Sequence, residues 1–334
     1  MPTATPLRLV FLGSDPIALP LLNWLSAEGR GTAEIAAVFT QPDRPAGRGQ
    51  RVGANAVKSW ALERSIPVRQ PEKLTQIERE ELVRIGADLS LVMAYGHILG
   101  VKFIETPRLG TLNLHASLLP RYRGASPIQT AIACGERETG VSLMRIVREL
   151  DAGPVADCER IEIGELDTAA EVEAGIGAAC LPLLARTLPL LAGGRLAFVE
   201  QDPALATYCR RLSKDDGAVD FRAAAPALAA RINGLWPWPG CSAEFNGVPV
   251  KIGLADALAQ DGPVVVEPGA VLGPDAEGLR VATSAGVLRL RRLQRPGGRM
   301  LPAADFLRGF PVEPGTRLPS KAMPVLLKVG PLPC

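Results

Sequence analysis

Short runs of apolar, often β-branched residues recur through the first 200 residues, and segments with helix-capping signals lie between them. Thr75 with Glu78, and Thr168 with Glu171, have the spacing of capping boxes. Short apolar runs without polar alternation are typical of strands buried on both faces of a parallel sheet. The alternation therefore predicts an open, doubly wound α/β domain. The predicted strands span residues 7–12, 35–40, 89–94, 111–115 and 141–147.

The pattern changes after about residue 205. Residues 223–235 predict one helix, and short strands separated by Gly and Pro turns follow it. Asn246-Gly247 between two apolar segments predicts a hairpin with a type I′ turn. We therefore expect a small β-barrel here, with a first domain at residues 1–194, a linker at 195–208 and a second domain at 209–334.

The composition is that of an ordinary globular protein, with 47% hydrophobic and 22% charged residues among 334. It excludes a fibrous or disordered chain. The most apolar later stretch, residues 181–192, contains Pro182, Arg186 and Pro189, and we expect these residues to interrupt it too often for a membrane span. The N-terminus shows no signal-peptide pattern. The expectation is a cytoplasmic protein with no membrane partner.

Six cysteines and two histidines are present without a C-x-x-C pair, which argues against a zinc site and a disulfide framework. We therefore predict no metal. The net charge is only +2, but basic residues exceed acidic ones after residue 205 and not before it. This asymmetry indicates a polyanionic partner for the C-terminal part. The alternative is a set of arginines on a solvated sheet face.

Two polar residues lie at the end of the predicted strand 111–115. Asn113 and His115 are two positions apart, so they point to the same side of the strand, and ligands of open α/β sheets bind at the carboxyl ends of strands. A histidine beside an amide there can transfer a proton and stabilise an oxyanion. The alternative for His115 is a buried ring that the backbone satisfies. Asp151 follows the next strand, and the three side chains together predict an acyl-transfer site.

Several sequence motifs of the chain occur together in one known enzyme family. They are Asn113-Leu-His115, Ser117-Leu-Leu-Pro120, Leu150-Asp151-x-Gly153, and the segments 38–49, 94–99, 123–129, 206–214 and 238–240. In this combination they resemble the folate-dependent formyltransferase family over almost the whole chain. The resemblance implies a Rossmann-like formyltransferase domain followed by an OB-like β-barrel domain.

The same resemblance implies transfer of formyl from 10-formyltetrahydrofolate to the amino group of methionyl initiator tRNA. Asn113, His115 and Asp151 are then the catalytic residues. The folate pocket is expected at Ser117, Leu118, Leu119 and Pro120. Three other activities stay open at this point: an amino-sugar-nucleotide formyltransferase, a formyltetrahydrofolate hydrolase and a non-catalytic RNA-binding protein.

Arginines in two places are candidates for tRNA contact. Arg44, Arg48 and Arg51 are interleaved with glycines and a proline and have no apolar face to bury. Such a loop is either solvated or a segment that orders on RNA, and the resemblance implies that it contacts tRNA. Arg291 and Arg292 lie in the basic strand of the second domain, where backbone phosphates are the expected partners.

Overall fold

The computed structural model describes residues 5–46, 51–258 and 266–330. The strands in this part of the chain are β1 (Leu7–Leu12), β2 (Ala33–Phe39), β3 (Arg44–Ala46), β4 (Arg51–Gly53), β5 (Val68–Arg69), β6 (Leu89–Val92), β7 (Thr111–His115), β8 (Arg123–Gly124), β9 (Glu138–Arg145), β10 (Val155–Glu162), β11 (Thr207–Cys209), β12 (Cys241–Phe245), β13 (Val248–Leu258), β14 (Val271–Pro274), β15 (Leu279–Ala282), β16 (Val287–Gln294), β17 (Leu301–Pro302) and β18 (Leu327–Val329). The helices are α1 (Leu19–Ser26), α2 (Ala56–Glu63), α3 (Gln76–Ile85), α4 (Val101–Ile104), α5 (Pro127–Ala133), α6 (Ala169–Ala192), α7 (Ala225–Gly234) and α8 (Ala303–Gly309). Short 3₁₀ turns lie at Pro16–Ala18, Glu28–Gly31, Pro203–Leu205 and Lys214–Gly217.

The chain forms two compact units. Unit 1 comprises Met1–Arg123, Gly140–Ile161 and Ala174–Ala206, and unit 2 comprises Gly124–Thr139, Glu162–Glu173 and Thr207–Cys334. Two segments that lie before residue 174 thus belong to unit 2. The boundaries at 194 and 208 stay predictions.

Unit 1 is built on a seven-stranded sheet with the order β10-β9-β7-β6-β1-β2-β5. The pairs from β7 to β5 are parallel, and β9 runs antiparallel to β7. Phe11 and Phe39 on the central strands are fully buried, as expected for strands covered on both faces. The predicted doubly wound α/β domain is confirmed.

Helix ends follow the predicted capping signals. Thr75 caps α3, and the Glu78 side chain returns to the Thr75 backbone to complete the capping box. Gly86 ends that helix in the left-handed conformation, with φ 67°. The Thr168 backbone N–H donates to the Glu171 carboxylate at 2.9 Å, so the second predicted pair also forms.

Helix α6 is longer than the sequence pattern predicted. Pro182 and Pro189 lie inside a continuous helix of 24 residues, so the prediction of a short, interrupted stretch was wrong. A proline inside a helix removes one backbone donor and crowds the carbonyl four residues earlier, but the helix continues through both positions. By length and composition α6 could cross a membrane, but half of its most apolar window is buried inside the protein. Cys180 and Leu183 are fully buried, as in a core helix.

Unit 2 contains an antiparallel sheet with the order β12-β13-β16-β15-β14, and β17 pairs with β16. Asn246 and Gly247 connect β12 to β13 with φ angles of 48° and 78°, as a type I′ turn requires. A Cβ atom on Gly234 would collide with the backbone of Ala133, so only glycine lets α7 approach α5 this closely. The predicted helix and hairpin are confirmed.

Candidate active site

Strand β7 carries Asn113 and His115 to the carboxyl edge of the unit 1 sheet. Asn113 pairs with Val92 of β6 and Met144 of β9, and His115 pairs with Ser142 of β9. Both side chains lie on one face, because successive strand residues alternate. Asn113 is half-buried and His115 is buried. The strand therefore presents an amide and an imidazole side by side.

The His115 ring has a defined partner on each nitrogen. Its Nε2 atom lies 2.9 Å from the carbonyl oxygen of Tyr122, and its Nδ1 atom lies 3.6 Å from Oδ2 of Asp151. Because a carbonyl only accepts hydrogen bonds, the neutral ring carries its hydrogen on Nε2. The lone pair of Nδ1 then faces the Asp151 side. Nδ1 is thus the atom that can take up a proton.

Asp151 lies in a tight turn between β9 and β10. Its backbone is left-handed, with φ 49°, which is uncommon for a residue with a side chain. A Cβ atom on Gly153 would collide with the carbonyl oxygen of Arg145, so the turn can pack against β9 only with glycine there. The turn brings the Asp151 carboxylate to His115. An amide, an imidazole and a carboxylate at one sheet edge can assist attack on a carbonyl and move its proton.

The segment from Ser117 to Pro120 forms a fixed bend directly after β7. Oγ of Ser142 donates to the Ser117 carbonyl at 2.7 Å and accepts from the Leu119 backbone N–H at 3.1 Å. Oγ of Ser117 donates to the Arg121 carbonyl at 2.7 Å. Leu118, Leu119 and Pro120 are partly exposed. These contacts hold the bend next to His115, and its role in folate binding stays a prediction.

The arginine loop begins and ends as a short hairpin. Arg44 pairs with Gly53, and Ala46 pairs with Arg51. The Arg44 side chain is 66% exposed, with Nη2 at 3.8 Å from the Glu72 carboxylate. Arg48 lies outside the described residues, and so does the side chain of Arg51. Arg44 therefore presents its guanidinium to solvent at the start of the predicted tRNA loop.

A group of polar side chains fixes the residues that precede this hairpin. Nζ of Lys58 lies 2.5 Å from Oδ2 of Asp43, and Nε2 of Gln70 donates to Oδ1 of Asp43 at 2.8 Å. These two hydrogen bonds lower the pKa of the Asp43 carboxyl. Gln70 also donates to the carbonyl of Gln41 at 2.8 Å. We call Asp43, Lys58 and Gln70 the loop anchor, because they hold the backbone next to Arg44.

The two arginines predicted in unit 2 differ in their surroundings. The Arg291 guanidinium donates to Asp256 at 3.1 Å and to Glu277 at 3.0 Å, and its side chain is only 19% exposed. Arg289 beside it also pairs with Asp256. The next residue along the strand, Arg292, is exposed. The structure thus leaves Arg292 accessible to a phosphate, whereas Arg291 already has two carboxylate partners.

Sequence reasoning missed the groups that support the site. The Tyr122 carbonyl that fixes the His115 ring lies in a left-handed residue, with φ 59°, and no side-chain pattern announces a backbone acceptor. Ser142 was missed as well, because a serine inside a buried strand reads only as a small residue. Among the described residues, no group of three or more His, Cys, Asp or Glu side chains could hold a metal ion.

Both parts of the chain match one family of enzymes. Residues 7–184 match the formyl transferase family, and residues 211–311 match the formyl transferase C-terminal domain. The chain belongs to the formyl transferase family. The methionyl-tRNA formyltransferase of Aromatoleum aromaticum is 39% identical over 321 residues, 96% of this chain and 99% of that protein. The one of Methylococcus capsulatus is 42% identical over 307 residues, 90% of this chain and 96% of that protein. Within the family, the chain belongs to the methionyl-tRNA formyltransferase branch.

Solved structures share the fold. HypX from Aquifex aeolicus in complex with tetrahydrofolic acid has a TM-score of 0.60 at 17% identity, covering 90% of this chain and 46% of that chain. WlaRD, a sugar 3N-formyl transferase studied with dTDP and 5-N-formyl-THF, has a TM-score of 0.62 at 16% identity, covering 86% of this chain and 97% of that chain. These likenesses confirm the Rossmann-like first domain, and the second domain, which was predicted to be an OB-like β-barrel, contains the antiparallel sheet described above.

Proposed function

We propose that this chain transfers the formyl group of 10-formyltetrahydrofolate to the α-amino group of methionyl initiator tRNA. The observation that carries the proposal is the contact between His115 Nδ1 and the Asp151 carboxylate beside Asn113. The family membership supports the formyl donor, and the names of the relatives support the acceptor. A cytoplasmic location follows from an acceptor that serves translation.

The reaction joins the amine nitrogen to the formyl carbon and breaks the bond from that carbon to N10 of the folate. The attack places negative charge on the formyl oxygen. Asn113 donates a hydrogen bond to that oxygen, and one such donor typically contributes about 3–4 kcal/mol to transition-state stabilisation. The amine proton passes to His115, and a proton ends on N10 of the leaving tetrahydrofolate.

His115 and Asp151 act together in this scheme. The free lone pair on Nδ1 accepts the amine proton, directly or through a water held by Asp151. The resulting imidazolium then faces a carboxylate 3.6 Å away, which stabilises its charge.

The folate and the tRNA contact different parts of the chain in this scheme. The bend at Ser117–Pro120 lies next to His115 along the chain and borders the folate site. Arg44, with Arg48 and Arg51 of the same loop, contacts the acceptor end of the tRNA, and Arg292 contacts its backbone. Arg291 was also predicted to contact tRNA, but its two carboxylate partners favour a structural role.

A competition assay tests the function. The purified protein is mixed with 10-formyltetrahydrofolate labelled in the formyl carbon, charged initiator tRNA and an amino-sugar nucleotide. We expect label on the methionine of the tRNA, at a rate that depends on His115. Label on the sugar would support the amino-sugar-nucleotide alternative. Label released as formate at an equal rate without tRNA would support the hydrolase instead.

A further inference from the structure

Part of the predicted linker 195–208 is anchored within unit 1. Val199 and Val155 exchange both backbone hydrogen bonds at 2.9 Å, and the Arg145 guanidinium lies 4.1 Å from the centroid of the Phe198 ring. Val155 directly follows the turn that carries Asp151. The segment is therefore held beside the candidate active site by both backbone and side-chain contacts.

Gln201 connects this segment to the turn itself. Its Nε2 amide donates to the carbonyl oxygen of Asp151 at 2.9 Å and to that of Gly153 at 2.7 Å. Asp151 has a left-handed backbone, with φ 49°, and a residue with a side chain keeps that conformation only when its surroundings enforce it. The two hydrogen bonds hold the carbonyls on either side of Ala152 and so enforce the turn.

Arg123 determines which way the Gln201 amide points. The Nε and Nη2 atoms of Arg123 donate to Oε1 of Gln201 at 3.0 and 2.7 Å. A guanidinium has no acceptor, so the amide oxygen must face Arg123 and the NH₂ group must face the turn. Arg123 is 4% exposed, so water does not compete with the Gln201 amide for its N–H groups.

We propose that Gln201 is a positioning residue that holds the Asp151 carboxylate at His115 during formyl transfer. The proposal rests on the proposed function of His115 and Asp151, and it gives the anchored segment a role in the reaction. Gln201 acts through the backbone of Asp151. Its loss should therefore slow the chemical step and leave substrate binding intact.

The test compares Gln201→Ala and Gln201→Glu with the control Gln76→Ala, which removes an exposed glutamine from α3. Glutamate keeps a partner for Arg123 but turns an oxygen instead of a donor toward the two carbonyls. We expect both Gln201 variants to lower kcat about tenfold or more, because a shift of about 1 Å in a reacting group is costly. KM for the formyl donor and for tRNA should stay within about twofold in the same variants, because the loss concerns a transition-state interaction.

A double variant separates positioning from general support of the fold. In the Asp151→Ala background, Gln201→Ala should slow transfer by less than about twofold, since residues that act through one another are not additive. If the rate loss of Gln201→Ala were as large in the Asp151→Ala background as in the wild type, the proposal would be overturned. A wild-type kcat in Gln201→Glu would also overturn it.

Amide hydrogen exchange supplies a readout that needs no substrate. Gln201→Ala should accelerate exchange in the turn 148–155 and leave β7 unchanged. Unchanged exchange in the turn would overturn the proposal, even where transfer to methionyl-tRNA is normal in the wild type. If Gln201→Ala accelerates exchange in the turn but the wild-type protein formylates no tRNA, the proposed function fails while the contact between Gln201 and the turn stands.

Discussion

The Nδ1 atom of His115 lies 3.6 Å from Oδ2 of Asp151, on the side of the ring opposite the Tyr122 carbonyl. The carbonyl occupies Nε2, so the basic nitrogen of the ring is the one that faces the carboxylate. A proton taken up at this nitrogen therefore creates charge beside an opposite charge. The Asp151 carboxylate is thus placed to stabilise the positive charge that forms on the ring when Nδ1 accepts the amine proton.

Asn113→Ala tests the stabilisation of the oxyanion. The variant should lower kcat by about 10²–10³-fold, because the amide donor is needed only when negative charge develops on the formyl oxygen. KM for the formyl donor should change little. Steady-state kinetics with both substrates varied measure the split. If KM for the formyl donor instead rose by about 10²–10³-fold while kcat stayed unchanged, Asn113 would only bind the substrate.

Arg44→Ala tests the arginine loop. We expect a lower kcat and a higher KM for tRNA, because a misplaced acceptor end costs rate as well as affinity. Arg30→Ala is the matched control, since Arg30 is also exposed and also pairs weakly with a glutamate, Glu34. An unchanged kcat/KM for tRNA in Arg44→Ala would remove this residue from tRNA recognition.

Arg291 and Arg292 should give opposite results. Arg292→Ala should flatten the dependence of log Kd for tRNA on log salt by about 0.7–0.9, the value expected for one phosphate contact. Arg292→Lys should restore the slope. Arg291→Ala should instead lower the melting temperature, because Glu277 and Asp256 each lose a partner. If Arg291→Ala changed the slope as much as Arg292→Ala does, the ion pairs of Arg291 would have to open when tRNA binds.

Because of Asp220, the stability of unit 2 should depend on pH in the acid range. Hydrogen bonds from the Arg222 side chain lower the pKa of the Asp220 carboxyl to about 2, against about 3.9 in an unfolded chain. The stability that this carboxylate contributes is therefore present above about pH 4 and is lost as the pH falls through about 2. Asp220→Asn should lower the free energy of unfolding at pH 5 and converge with the wild type near pH 2.

Urea unfolding of both proteins across this range measures the difference. Asp305→Asn is the control, because the Asp305 side chain is 43% exposed and such surface pairs contribute little. A stability difference that does not depend on pH would show that Asp220 acts through packing instead of charge.

The features predicted well from the sequence are those with a short-range cause. Strand β7 has the predicted bounds, and the alternation of side chains along it placed Asn113 and His115 on one face. The turn at Asn246-Gly247 depends only on two residues that tolerate a positive φ. The capping box of α3 is equally local. In each case, neighbours in the chain decide the structure.

The features that escaped prediction depend on partners distant in the chain. Arg291 looked like a free cation because its carboxylate Asp256 lies on another strand, 35 residues away. Gln201 looked like part of a linker because its two carbonyl acceptors lie about 50 residues earlier. Backbone carbonyls carry no mark in the sequence, so contacts of this kind become visible only in the folded chain.

The transfer step in a single turnover tests the central claim most directly, with enzyme in excess over labelled formyl donor and methionyl-tRNA. His115→Ala and Asp151→Ala should each slow the step by at least about 10²-fold. The double variant should be no slower than the slower single variant, because the two side chains act as one unit. Melting temperatures show that the variants are folded. A folded single variant that keeps more than about a tenth of the wild-type rate would contradict a general-base role of the pair. Multiplying losses in the double variant would contradict their joint action.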